Sequence, residues 1–166
     1  MTDATGHDRV RYVAGLGALA AGLALGAAGL AGLLPAWDSA ITEACGLYFD
    51  NGAVLGGVPV ARTAAQQARG LSHRDDAGPG MLFTYSSPEP RIFRMRDTRI
   101  PLTIGFFAAD GELFAVEDME PHSDTYHFSL APALDALELA PGQFEAHGLA
   151  VGSRLLRREC YPTQDE

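Results

Sequence analysis

An uncharged apolar run dominates the N-terminal part of the chain. Residues 12–37 contain no acidic, basic or histidine side chain and consist almost entirely of alanine, glycine and leucine. As an α-helix this run would extend roughly 39 Å, which exceeds the roughly 30 Å hydrocarbon core of a bilayer. The pattern therefore predicts a transmembrane anchor or signal segment over residues 12–37.

The charges on either side of this run predict its orientation. Arg9 and Arg11 precede it, whereas Asp38 and Glu43 follow it. Basic residues flanking a membrane segment are retained on the cytoplasmic side. Residues 1–11 should therefore stay in the cytoplasm, and the remainder of the chain should be exported.

Two fates of the apolar segment stay open. Its length, and the aromatic residues Tyr12 and Trp37 at its edges, are typical of a retained anchor, because such rings favour the headgroup layer. The small residues of Thr42-Glu43-Ala44 would instead fit cleavage by a signal peptidase. We expect a single-pass cell-membrane protein with its C-terminal domain outside the cytoplasm, or a secreted or periplasmic protein after cleavage.

Short apolar or alternating stretches, separated by strong turn signals, follow the apolar run. This pattern is typical of β-strands. The sequence Asp50-Asn51-Gly52 predicts a hairpin turn between strands at residues 47–49 and 54–60, because Asn-Gly readily adopts the positive φ that tight hairpins need.

Two short helices and several further strands complete the predicted elements. Thr63 is a favourable N-cap for a helix at residues 64–69, which Gly70 would end, and a second helix is predicted at residues 142–147. Further strands are predicted at residues 81–85, 92–96, 102–108, 113–119, 133–140 and 154–158. Since most connections are short, we predict a mainly β (α+β) fold: a compact curved or barrel-like antiparallel sheet with two short helices.

Charge narrows the classes of partner. The chain has 166 residues, of which 12 are basic and 21 are acidic, for a net charge of −9. Residues 1–37 are electrically balanced, so the acidic excess belongs to the exported part. Because an acidic surface repels the phosphate backbone, nucleic acid is excluded as a partner.

The two cysteines, Cys45 and Cys160, flank the predicted folded domain on the exported side. An oxidising compartment outside the cytoplasm would permit a disulfide between them. We predict this disulfide, with two separate thiols as the alternative.

Four arginines lie within the nine residues Arg91–Arg99. Alternate side chains of an extended strand share a face. One face would hold Arg94, Arg96 and Thr98, and the other Phe93, Met95 and Asp97. A carboxylate on the core side needs hydrogen-bond donors. Asp97 and Thr98 therefore either brace the turn before Ile100, or surround a small polar or anionic ligand together with the two arginines.

A second polar cluster contains three metal-ligand side chains, His122, Asp124 and His127. Imidazole and carboxylate groups are typical ligands of zinc, and carboxylates also bind calcium. The His-x4-His spacing, however, does not place both imidazoles on one face of a strand or helix. A solvated acidic loop is the alternative interpretation.

Seven short motifs follow one another between Val60 and Arg154. They are Thr63–Leu71, Gly80–Phe83, Phe93–Leu102, Ala109–Gly111, Met119–Pro121, Ala136–Leu139 and Gly142–Gly152. In this order they resemble the DUF192 family, also called UPF0127, of small and often exported bacterial and archaeal proteins. The resemblance implies a compact β-rich fold, and it implies no particular reaction or cofactor.

The predicted organisation has five parts. They are a cytoplasmic N-terminus (1–11), the anchor or signal segment (12–37), a connecting segment with the first hairpin strands (38–59), a DUF192-like domain (60–158) and a C-terminal tail (159–166).

Three functional hypotheses follow. We favour a non-enzymatic binding module of the cell envelope, with a small polar or anionic ligand, such as a sugar, at Arg94, Arg96, Asp97 and Thr98. A metal-dependent hydrolase using His122, Asp124 and His127 is the first alternative, and a purely structural envelope domain is the second. The sequence indicates no cofactor; it predicts the membrane as a partner through residues 12–37 and predicts no oligomeric state.

Overall fold

The computed structural model of the protein describes residues 40–163. Nine strands and two helices lie in this range. They are β1 (Glu43–Phe49), β2 (Val54–Ala61), α1 (Ala64–Arg69), β3 (Met81–Glu89), β4 (Ile92–Phe93), β5 (Leu102–Phe107), β6 (Leu113–Met119), β7 (His127–Phe128), β8 (Ala133–Leu139), α2 (Gln143–Ala146) and β9 (Leu155–Pro162).

The predicted segment at residues 12–37 lies outside the described residues. Within residues 40–163, neither helix has the length and apolar character that a bilayer-crossing helix requires.

Seven strands form one sheet in the order β6-β5-β8-β3-β2-β1-β9, and β4 pairs with β7 in a separate two-stranded sheet. The large sheet is not closed, which corrects the barrel-like prediction. Its two edge strands nevertheless approach each other at one end, where Glu112 and Arg154 form an isolated antiparallel bridge. The large sheet is therefore curved but open.

One strand pair departs from the predicted antiparallel pattern. β2 and β3 are parallel, whereas the other pairs of the large sheet are antiparallel. A parallel pair needs a crossover connection of a dozen residues or more, usually with a helix. The segment between β2 and β3 contains α1 and supplies this crossover.

The local turn and cap signals are confirmed. β1 and β2 form an antiparallel hairpin, and Gly52 in its turn has a φ of 85°. The Thr63 hydroxyl accepts a hydrogen bond from the Gln66 backbone N–H, while the Gln66 side chain accepts one from the Thr63 N–H. This capping box fixes the start of α1.

Two hydrophobic cores lie on opposite faces of the large sheet. Leu82 on β3 pairs with Leu137 on β8, and both belong to the first core. Phe83 pairs with Ala136, and both belong to the second core. Because successive side chains of a strand point to opposite faces, the central strands are buried on both sides.

A buried ion pair joins the edge strand β9 to the central strand β8. Arg158 donates to both carboxylate oxygens of Asp135, at 2.9 and 2.7 Å, and to the Thr84 hydroxyl at 3.0 Å. The Asp135 side chain is 1% exposed. Burial raises the pKa of this carboxyl, while the Thr84 hydrogen bond and the Arg158 charge act in the opposite direction. The bidentate guanidinium supplies the counter-charge that a buried carboxylate needs.

The predicted disulfide is present. Cys45 on β1 and Cys160 on β9 are direct cross-strand partners and are bonded to each other. The bond closes a loop between residues 115 positions apart. β9 extends to Pro162, past residue 158, so Cys160 belongs to the sheet itself.

Removal of the disulfide should lower the free energy of unfolding by up to about 4.7 kcal/mol, because a closed loop of about 100 residues restricts the unfolded chain by roughly that amount. Urea unfolding of the wild type with and without reductant measures the effect. The double variant Cys45→Ala, Cys160→Ala is the control and should not respond to reductant. Equal wild-type curves in both conditions would contradict the prediction.

Arg158→Met should destabilise the fold by about 3 kcal/mol, because it leaves the Asp135 carboxylate buried without a counter-charge. Arg157→Met on the same strand is the matched control, and it should cost only about 1 kcal/mol, because the Arg157 guanidinium contacts Glu159 and the Tyr48 ring at the exposed edge of the sheet. Adding Asp135→Asn to the Arg158 variant should restore part of the loss. Chemical denaturation measures all three, and equal losses for the two arginine variants would refute the assignment.

Candidate functional site

The arginine-rich segment does not continue as the strand that the sequence predicts. β4 ends at Phe93, and the Thr98 N–H donates to the Met95 carbonyl in a turn. The predicted alternation of faces is therefore wrong beyond Phe93. Asp97 is exposed instead of core-facing, whereas Thr98 is buried.

Two of the four predicted ligand residues share a cavity, and two do not. Arg94 and Thr98 line a cavity of about 370 Å³. Arg96 and Asp97 are outside its lining. The Arg96 Nε lies 2.7 Å from Asp124 Oδ1 in an exposed ion pair, and the Asp97 carbonyl accepts a hydrogen bond from the His73 N–H at 2.9 Å.

The cavity lies between the large sheet, on the face that carries the second core, and the segments α1 and β4 that lie over this face. The end of α1, strand β3, the β4 segment and strand β8 all contribute to it. Its lining residues are Gln67, Ala68, Arg69, Gly70, Leu71, Ser72, Phe83, Tyr85, Ile92, Phe93, Arg94, Thr98 and Glu138. We call this the Glu138 cavity.

Glu138 is the most unusual group in this cavity. It is 6% exposed, and burial alone raises the pKa of its carboxyl to about 8. Its cross-strand partners are Met81 and Ile104, which are both apolar. Within residues 40–163, its carboxyl forms no hydrogen bond or ion pair. The side chain is therefore mostly a neutral acid at pH 7.

The backbone around Glu138 is closely packed. Gly80, directly before β3, has a φ of 84°. A Cβ at this position would lie 2.3 Å from the Glu138 carbonyl oxygen. Glycine is therefore required where the chain enters β3 beside β8.

Aromatic side chains form the walls of the cavity. The Phe83 and Phe93 ring centroids are 5.0 Å apart with nearly perpendicular planes, an arrangement that aromatic pairs prefer. The Arg91 guanidinium carbon lies 3.6 Å from the Tyr85 ring centroid and covers one face of that ring. Burial raises the pKa of Tyr85 to about 12, so its hydroxyl keeps its proton near neutral pH. The walls combine the apolar surface of Phe83 and Phe93 with the hydroxyl groups of Tyr85, Ser72 and Thr98.

The sequence pattern does not predict Glu138, Tyr85, Phe83 or Phe93 as site residues. Glu138 stands in a strand whose other residues, apart from Asp135, are apolar. A carboxylate in such a run must be paired or neutralised if the strand is central. The sequence offers one sign that Glu138 is unusual, namely its position within an apolar run. The strand order of the sheet is needed to show that β8 is central.

The three predicted metal ligands are not brought together. The His127 Nδ1 lies 2.7 Å from Glu117 Oε1, and its Nε2 is buried without a hydrogen-bond partner within the described part of the chain. His122 is exposed with a φ of 56°, and Asp124 is paired with Arg96.

One group of three His, Cys, Asp or Glu ligand atoms within 4.8 Å of one another is found in residues 40–163: Glu43, Cys45 and Cys160. Both of its sulfur atoms belong to the disulfide, and Glu43 is paired with Arg62 at 2.5 Å. These three side chains therefore already have partners within the chain.

The raised pKa of Glu138 predicts a pH-dependent stability. Between the ordinary value of 4.5 and about 8, the folded state holds a proton that the unfolded state has released. The stabilisation that the protonated Glu138 adds to the free energy of unfolding is therefore fully present below pH 4.5 and is lost as the pH rises through 8. From pH 5 to pH 8.5, the wild type should lose on the order of 3 kcal/mol relative to Glu138→Gln.

Urea denaturation of the wild type and of Glu138→Gln across this pH range tests the prediction. The variant is the matched control, because it keeps every other titrating group. Parallel stability curves for the two proteins would show that Glu138 is not protonated in the folded state.

Solved structures share this architecture. A candidate transcription regulator from Sinorhizobium meliloti 1021 is 28% identical, with a TM-score of 0.62, and the match covers 74% of this chain and 95% of that chain. A protein of unknown function from Novosphingobium aromaticivorans DSM 12444 is 29% identical, with a TM-score of 0.61, and the match covers 69% of this chain and 84% of that chain. The likeness therefore extends over most of each solved chain.

A protein-family model shows which family the chain belongs to. No curated protein matches the chain. The family model of DUF192, described as "Uncharacterized ACR", matches residues 50–156. This range includes the Glu138 cavity and the motifs that suggested the resemblance. The chain therefore belongs to the DUF192 family.

Proposed function

We propose that the domain is a non-enzymatic binding module for a small polar or anionic ligand, and that the ligand occupies the Glu138 cavity. The observation that carries this proposal is a buried carboxyl without a partner in the described chain, directed into a cavity of about 370 Å³. Natural ligand sites have this form: a concave, partly apolar pocket with a few convergent polar groups.

The chemistry of the lining indicates the ligand class. Arg94 is exposed, and within residues 40–163 its guanidinium forms no ion pair or hydrogen bond. It is therefore available to bind an anionic or hydroxyl group. The protonated Glu138 can donate a hydrogen bond, and Phe83 and Phe93 offer apolar surface to a ring or methylene group. A sugar or a small organic anion fits this combination.

The ligand contacts proposed from the cavity differ from the four residues that the sequence predicts. Thr98 and Arg94 remain in the proposed site because they line the cavity. Arg96 and Asp97 lie outside the lining, so we assign them no ligand contact.

The proposed location is outside the cytoplasm, tethered to the membrane through residues 12–37 or released after cleavage. The disulfide between Cys45 and Cys160 supports this placement, because disulfides persist mainly in oxidising compartments. The ligand would then be a component of the cell envelope or its surroundings.

Binding of D-glucose, N-acetylglucosamine, D-glucuronate and butanoate to the full-length chain tests the proposal. We expect at least one of these probes to bind at millimolar concentration or below, as measured by isothermal titration calorimetry. Arg94→Ala should weaken that binding at least tenfold, because it removes the cation at the cavity rim.

Arg96→Ala is the matched control, since it removes an exposed arginine two residues away and outside the lining. It should leave the affinity unchanged. Equal losses in both variants would place the ligand elsewhere, and the absence of binding by every probe would favour a purely structural domain.

A further inference from the structure

The lining of the Glu138 cavity holds one acidic and one basic side chain that have no partner within residues 40–163. Glu138 is buried, and Arg94 is exposed. A ligand that enters the cavity meets a carboxyl group and a guanidinium.

The same strand shows how this fold treats a carboxylate whose partner lies within the chain. Asp135, three residues before Glu138 on β8, receives a bidentate guanidinium from Arg158 and a hydroxyl from Thr84. Glu138 receives neither kind of group. If the ionised form of Glu138 is used in the bound state, the ligand itself must supply the counter-charge.

The surroundings of Glu138 favour an ammonium group as that counter-charge. Phe83 and Phe93 line the same cavity, and the faces of aromatic rings attract cations. The Tyr85 hydroxyl keeps its proton, so it stays uncharged and its oxygen can accept a hydrogen bond from an ammonium.

The exposed rim of the cavity, where Arg94 lies, favours a negatively charged group on the ligand. Arg94 lines the cavity, and guanidinium groups repel a simple cation but bind carboxylates well. A purely cationic ligand would therefore satisfy Glu138 and conflict with the rim. A purely anionic ligand would satisfy the rim and leave Glu138 in its protonated form.

We propose that the ligand is a small zwitterion of the amino-acid type, whose ammonium group pairs with the Glu138 carboxylate and whose carboxylate group binds Arg94. This inference rests on the proposed binding function and narrows its ligand class. Binding transfers the Glu138 proton to the buffer: the carboxylic acid and the ammonium form a carboxylate–ammonium pair, and one proton is released.

The other titratable or charged side chains of the cavity lining are Tyr85 on β3, Arg69 at the end of α1 and Arg94 after β4. The Tyr85 hydroxyl keeps its proton near neutral pH. β5 contributes the apolar Ile104. Proton release on binding would therefore report the ionisation of Glu138.

Isothermal titration calorimetry of the full-length chain at pH 7 tests the inference. The zwitterionic probes are glycine, 4-aminobutanoate and 6-aminohexanoate, which differ in the separation of their charges. Butanoate and butylammonium are the matched half-ligands. At least one zwitterion should bind at least tenfold more tightly than either half-ligand. Its binding should release up to one proton, measured from the dependence of the heat on phosphate and Tris buffer.

Three variants separate the role of Glu138 from that of Arg94. Glu138→Gln should abolish the proton release and the preference for the zwitterion while it still binds butanoate. Arg94→Ala should weaken butanoate while it still binds butylammonium. Arg96→Ala should behave as the wild type does. The proton release is measured on the wild type, so it tests the inference even if a variant fails to fold.

The outcomes distinguish this inference from the proposed function. If butanoate or a sugar binds as tightly as every zwitterion, or if zwitterion binding releases no proton, the zwitterion is wrong and the small-ligand function stands. The same holds if sugars or anions bind and no amino acid does at 10 mM. If no probe of any class binds, both proposals fall.

Discussion

The burial of β8 on both faces is the constraint on which the rest of the structure depends. This strand lies between β5 and β3 in the large sheet, and its two faces contribute to different cores. A carboxylate on such a strand is largely removed from bulk water, so it must be paired with a counter-ion or protonated. Asp135 and Glu138 represent these two solutions: the first has Arg158 as a counter-ion, and the second is kept neutral by burial.

The two solutions have different consequences for the molecule. The Asp135–Arg158 pair lies on the face where β9 curves back toward β8 and holds an edge strand of the open sheet in place. Glu138 lies on the opposite face, beneath α1 and the β4 segment, where the covering is incomplete and leaves a cavity. The proposed ligand site therefore lies on the sheet face that is incompletely covered. The Asp135–Arg158 pair, which stabilises the curved sheet, lies on the opposite face.

Features fixed by neighbouring residues were predictable from the sequence. The Thr63 cap, the Asn51-Gly52 turn and most of the long strands are local patterns, and the structure confirms them. The disulfide followed from compartment and cysteine count. The family resemblance anticipated the β-rich fold, although neither it nor the strand pattern showed that the sheet stays open.

Features fixed by distant contacts were not predictable in the same way. The alternation from Phe93 to Asp97 suggested a strand, but the chain turns after Phe93, so Thr98 is buried and Asp97 is exposed. Glu138 carried a local signal, yet its meaning depended on β8 being central, which is a property of strand order. Of the four ligand residues that the sequence predicts, Arg94 and Thr98 line the cavity, whereas Arg96 and Asp97 do not. The turn after Phe93, and not the alternation of a strand, determines which of them reach it.

The position of the disulfide near both ends of the domain determines how a mechanical load would pass through it. Cys45 and Cys160 are bonded directly across neighbouring strands. Tension applied between the two ends of the chain would travel through this covalent link and bypass the polypeptide between the cysteines. The hydrogen-bonded strands that hold the Glu138 cavity are therefore shielded from extension by a pull on the chain ends.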